Sequence, residues 1–122
     1  MKNWNKEDER LKFEHNGFNC MILRSEDYGY LNGYVGLPIT HPYCGKKYFS
    51  LLNLIILGGI NFAEYGDEKF GFDKELYWIG FSNYSRDYKN ENMESTLRTL
   101  RSLTEQLDPV LLAVNKLIGL KI

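Results

Sequence analysis

Two short runs near the start of the chain, Lys12 to His15 and the largely apolar Phe18 to Arg24, have the length of strands. Asn16-Gly17 separates them, and this pair accepts positive φ at both central positions of a type I′ turn, so the segment predicts a β-hairpin. Tyr30, Gly33, Tyr34 and Val35 predict a third extended segment, with Asn32-Gly33 as a second turn or a bulge. From Gly36 to Lys47 the sequence GLPITHPYCGKK holds two prolines and two glycines, which interrupt ladders and predict a structured loop.

Leu51 to Phe62 (LLNLIILGGINF) is apolar at both alternating sets of positions, as in a strand covered on both faces. Gly58-Gly59 marks a bulge or a close backbone approach there, and a short helix at the start of the run is the alternative. Ala63 to Lys74 is turn-rich and charged. Glu75 to Asn83 (ELYWIGFSN) sets Leu76, Trp78 and Gly80 against Tyr77, Ile79 and Phe81, which predicts a central strand.

Beyond Asn83 the period changes. Met93, Leu97, Leu100, Leu103, Thr104 and Leu107 recur at spacings of three and four, the signature of one helix face, with Asn90 or Asn92 as N-cap. Asp108-Pro109 supplies a cap and a first-position proline for a second helix to about Leu117, ended by Gly119. The pattern predicts a single α+β domain over residues 1–122. An antiparallel β-sheet fills the N-terminal two-thirds (1–88), and a helical hairpin follows (89–122).

Charge and composition narrow the function classes. The 122 residues carry 15 Lys+Arg against 16 Asp+Glu, a balance that disfavours DNA or RNA as partner yet permits a local cationic pocket. The chain has nine Tyr, seven Phe and two Trp beside 11 Gly. A domain this small cannot bury that many tyrosines with satisfied hydroxyls, so some are expected to line an interface or a ligand. Cys20 and Cys44 read as reduced thiols. The first residues, MKNWNKEDERLK, lack a hydrophobic signal region, and the apolar run Leu51 to Ile60 is short and carries Asn53; neither export nor a membrane partner is expected.

Enzymatic signatures are sparse. His41 precedes Cys44 by three residues, but Pro42 intervenes and no third group is identifiable to orient the imidazole. No HxE, CxxC or HExxH pattern occurs, so neither a metal nor any other cofactor is expected. Glu64, Asp67, Glu68, Asp73 and Glu75 lack the alternation of a calcium loop and read as a solvated segment. An anion could meet the backbone of Gly36 and Gly45, a protonated His41, Lys46 and Lys47; the other reading of this loop is a proline-stiffened connection with exposed lysines. On the first helix, Glu94, Arg98, Arg101 and Glu105 share a stripe opposite the leucines, either as an i,i+4 ion-pair ladder or with the arginines free to grip phosphate. Tyr77, Trp78, Phe81, Tyr84 and Tyr88 lead from the last strand toward that helix, where a ring could pack in the core or stack on a purine.

NGYVGLPITHPYCGKKY, LGGINF, WIGFSN and LTEQL, in that order between about Gly17 and Leu107, resemble a family of small bacteriophage proteins whose pattern runs approximately GYVxLPxxHPxYGKxY, HGGLTF, WxIGFDCAH and LAEQL. The family includes the Thoeris anti-defence sponge proteins, and the chain is similar to a short clostridial-type member. The resemblance implies a non-enzymatic immune-evasion protein of the infected bacterium's cytoplasm. It would capture glycocyclic ADP-ribose, the cyclic ADP-ribose signal of Thoeris, without cleaving it.

It further implies a homodimer with ligand at subunit boundaries, and a hexamer, a trimer of dimers, that also holds cyclic oligonucleotides. Leu57 replaces the family's His, and Ser82-Asn83-Tyr84 replaces its Asp-Cys-Ala. The resemblance and side-chain chemistry together assign Phe81 or Tyr84 to stack adenine, and Asn83 and Asn92 to hydrogen-bond ribose or base. Arg98 and Arg101 would pair with pyrophosphate, and His41 with Tyr43 would close over the ligand. The alternatives are a signal hydrolase using His41 with water or Cys44, and a protein-interaction inhibitor covering a host enzyme through exposed tyrosines.

Overall fold

In the computed structural model, which describes residues 10–25, 30–51, 53–56, 59–83 and 89–117, Asn16 and Gly17 take φ of 53° and 80°. They join β1 (Arg10–His15) to β2 (Phe18–Arg24) as the Asn-Gly pair predicts. β3 (Leu31–Leu37) runs through Asn32-Gly33 with no turn or bulge, and β4 (Phe62–Tyr65) and β5 (Tyr77–Asn83) complete a five-stranded antiparallel sheet in the order β1-β2-β3-β5-β4. β5 is central, as its alternation predicts. α1 (Lys89–Gln106) and α2 (Pro109–Leu117) follow, so the chain is one α+β domain.

Glycine and aromatic residues interlock across β3 and β5. Gly33 lies opposite Phe81, Tyr34 opposite Gly80, and Gly36 opposite Trp78. A Cβ on Gly33 would come within 2.5 Å of the Phe81 ring, and one on Gly80 within 2.5 Å of the Tyr34 ring. Each ring thus lies over the bare backbone of its partner, on alternate faces of the sheet. Three of the 11 glycines and three of the aromatics are accounted for by this pairing.

One sheet face carries Phe18, Cys20, Ile22, Leu31, Val35, Ile79 and Phe81 and packs beneath Leu100, Leu103 and Leu107 of α1. Thr96 and Thr104 are buried on the same helix face, while Glu94, Arg98, Arg101 and Glu105 are exposed, as the helical period predicts. α1 begins at Lys89, ahead of the asparagines expected to cap it. Asp108 does cap α2, its Oδ1 accepting from Val110 N–H at 2.9 Å with Pro109 at the first helical position. Gly119, expected to end α2, lies outside the described residues.

Leu51 to Phe62 is not the expected strand. Tyr48–Ser50 forms a single 3-10 turn, Leu54 N–H closes another turn on Leu51 O, and only Phe62 joins the sheet, at the start of β4. Leu51, Leu54 and Ile60 are nevertheless buried in the helix-side core. The backbone of Ile55 obtains its partners from a side chain: Gln106 accepts from Ile55 N–H at 2.7 Å and donates to Ile55 O at 2.7 Å. One amide therefore does locally what a neighbouring strand would do.

Candidate functional site

The loop after β3 winds through consecutive turns, His41 N–H to Pro38 O, Cys44 N–H to His41 O and Lys46 N–H to Tyr43 O. These bring His41 beneath the C-terminal end of α1. Its Nδ1 accepts from Tyr43 N–H at 3.0 Å and its Nε2 meets Leu107 O at 2.8 Å. An N–H donor at Nδ1 requires that nitrogen to be unprotonated, so the ring is the neutral Nε2–H tautomer donating to Leu107 O. Burial, which leaves the residue 5% exposed, lowers its pKa from the ordinary value, against the opposing hydrogen bond to Leu107. Edge contacts from Phe18 at 5.8 Å and Tyr43 at 5.6 Å complete its enclosure.

This corrects the reading of His41 as a protonated anion ligand or a catalytic base, since both nitrogens are bound within the fold. The anion-loop reading loses another member, because Gly36 lies inside β3 between Asn19 and Trp78. Tyr43 accepts from Asn53 Nδ2 through its hydroxyl at 2.7 Å, and Tyr77 OH donates to Lys46 O at 2.6 Å, so the loop is fastened at both flanks. Lys46 and Lys47 remain exposed.

The other expected site residues separate into three places. Phe81 is 2% exposed and fills the core between Gly33 and Leu100, which corrects its assignment as a base-stacking ring. Asn83 stands at the far end of β5 and donates through Nδ2 to Ser95 Oγ at 2.6 Å and Thr96 Oγ1 at 2.9 Å, tying the sheet to α1. Thr96 and Leu107 are separated by about 16 Å of helix rise, so Asn83 and His41 belong to opposite ends of one protomer. Arg98 and Arg101 stand exposed between those ends, on the outer face of α1. Among the described residues no ion pair joins Glu94 to Arg98 or Arg101 to Glu105, so the expected ladder does not form. Tyr84 and Tyr88 lie outside the described residues, as does the side chain of Asn92.

The thiols occupy different settings. Burial pushes the Cys20 thiol up to about 11, and its Sγ donates to Phe18 O at 3.7 Å, which suits an inert core group. Cys44 is half-buried with its Sγ 3.9 Å from Tyr65 OH, and the His41 ring nitrogens bond elsewhere, so no Cys-His dyad forms. Among the described residues no three His, Cys, Asp or Glu lie where they could share a metal ion, and no helix is long and apolar enough to cross a membrane.

Two cavities of about 360 Å³ open on the sheet face away from α1, flanking Phe72 and Trp78. A third, of about 260 Å³, lies between Asn16 and the joint of α1 and α2. None of the three is lined by His41, Tyr43, Phe81, Asn83, Arg98 or Arg101. The first two escaped sequence reasoning because Phe72 reads as part of a charged, turn-rich segment; the usable signal was the cross-strand match of Trp78 with a glycine. No family model, no curated protein and no solved structure matches the chain.

Proposed function

We propose that this protein is a phage anti-defence sponge that binds a cyclic ADP-ribose-type signal, glycocyclic ADP-ribose, in the bacterial cytoplasm and holds it uncleaved. The observation that carries the reading is the state of His41. The residue around which a hydrolase would be built spends both ring nitrogens on the backbone at Tyr43 and Leu107, so it has no lone pair with which to activate water. Arg98 and Arg101, exposed on one face of α1, are available to pair in fork geometry with the pyrophosphate.

The exposed face of α2 agrees with the same reading. α2 exposes Val110, Val114 and Leu117 at spacings of four and three, with Leu111 beside them, and this apolar stripe suits burial against a second copy. A homodimer, and dimers assembled into a hexamer, would bring copies of the α1 arginines to subunit boundaries, where ligand binds in the proteins the sequence resembles. No cofactor enters the proposed mechanism, which is capture by preformed contacts. To test it, protein is incubated with glycocyclic ADP-ribose, separated from free ligand and heat-denatured, and the released material is analysed. Intact signal supports capture; cleaved product overturns it.

A further inference from the structure

We propose that the cavity beside Trp78, on the sheet face away from α1, is a binding site for a small organic cation of the quaternary ammonium class. Segment 66–76 folds over this face and sets Phe72 against three rings. Trp78 lies at 5.2 Å and 75°, Tyr34 at 4.9 Å and 79°, and Phe62 at 6.3 Å and 27°. A cavity of about 360 Å³ opens next to this cluster and is lined by Phe62, Phe70, Phe72 and Trp78 together with the carboxylates Glu64 and Asp67.

Glu64 lies directly across the ladder from Trp78 and is therefore on the same face. Among the described residues no lysine, arginine or histidine lines the cavity. Arg10, the ladder partner of Leu23 in the lining, packs its guanidinium on Gly71 and does not itself line the cavity.

Aromatic rings draw cations, and the exposed carboxylates of Glu64 and Asp67 add full charge, so the cavity favours a weakly hydrated cation over phosphate. It is thus chemically distinct from any site for the anionic signal. The volume lies at the low end of the range for small-molecule sites and suits a trimethylammonium head on a short stem rather than a folded chain. The exposed Phe70 ring is placed to cover such a head at the mouth.

Choline is the probe, and its neutral isostere 3,3-dimethylbutan-1-ol is the control for shape without charge. In a nitrogen–proton NMR titration, choline should shift the Trp78 indole N–H and the Gly66 amide saturably. The isostere should bind about tenfold more weakly, the factor a desolvated cation on aromatic faces supplies. Glu64→Gln should weaken choline about threefold, and Phe70→Ala should weaken it as well, each with an otherwise native spectrum. Equal binding of the isostere, absence of saturable shifts at these two groups, or unchanged choline affinity in Glu64→Gln would each overturn the proposal.

Discussion

The inner and outer sides of α1 use polar residues in opposite ways. On the inner side, His41 bonds Leu107 O, Asn16 donates to Thr104 Oγ1 at 3.1 Å, Gln106 brackets Ile55, and Asn83 reaches Ser95 and Thr96. Each of these groups is held by the fold, and His41 and Asn16 complete a carbonyl and a hydroxyl at the buried residues Leu107 and Thr104. On the outer side, Arg98 and Arg101 stand in solvent with no ion pair among the described residues. Motif residues such as His41 and Gln106 are thus engaged within the fold, whereas the arginines of the outer stripe are exposed.

Removing the inner side's largest ring should break the fold most. Phe81→Ala leaves the space over Gly33 empty and is expected to cost about 3–5 kcal/mol by urea unfolding. His41→Ala is next, about 1–3 kcal/mol, because Leu107 O and Tyr43 N–H lose their partner together. If His41 is scaffold, ligand capture per folded molecule stays unchanged in that variant.

The same ring supplies a pH test. Its folded pKa is depressed by burial, so the contribution to stability is fully present above the ordinary value of about 6.5 and is lost as pH falls through the folded value. Unfolding midpoints measured down from pH 7.5 should decline through this window in the native protein and lose that component in His41→Asn. A flat profile in the native protein would contradict the neutral, buried tautomer.

On the outer side the expected stability effect is smallest: Arg98→Ala should change unfolding by less than about 0.5 kcal/mol. Its effect on capture should exceed about 1 kcal/mol, or roughly fivefold in affinity, if the guanidinium holds phosphate. A variant that loses stability but keeps capture would reverse the assignment of the two sides.

The sequence made the hairpin legible because Asn16-Gly17 dictates its own turn, and α1 legible because the leucine period and the charged stripe agree. It misread Leu51 to Phe62, because an apolar run looks the same whether its backbone is paired by a strand or by a glutamine fifty-one residues away. Alternation places Tyr77, Ile79 and Phe81 on one face without saying that α1 covers that face, where Phe81 is buried against Leu100. His41 shows the same limit of a linear pattern, since both its ring nitrogens are bound within the fold. A polar side chain in a loop offers the same donors to a ligand as to the backbone, and only the tertiary path of the loop decides between them.

The central claim is capture without turnover, and the direct measurement is the fate of the ligand under excess. With glycocyclic ADP-ribose supplied at several equivalents per protomer and followed by chromatography over hours, the account predicts a fixed stoichiometric fraction bound. All of it should be recoverable intact on heating, and the free pool should remain unchanged. Steady disappearance of the free signal, with product accumulating beyond one equivalent per site, would contradict it.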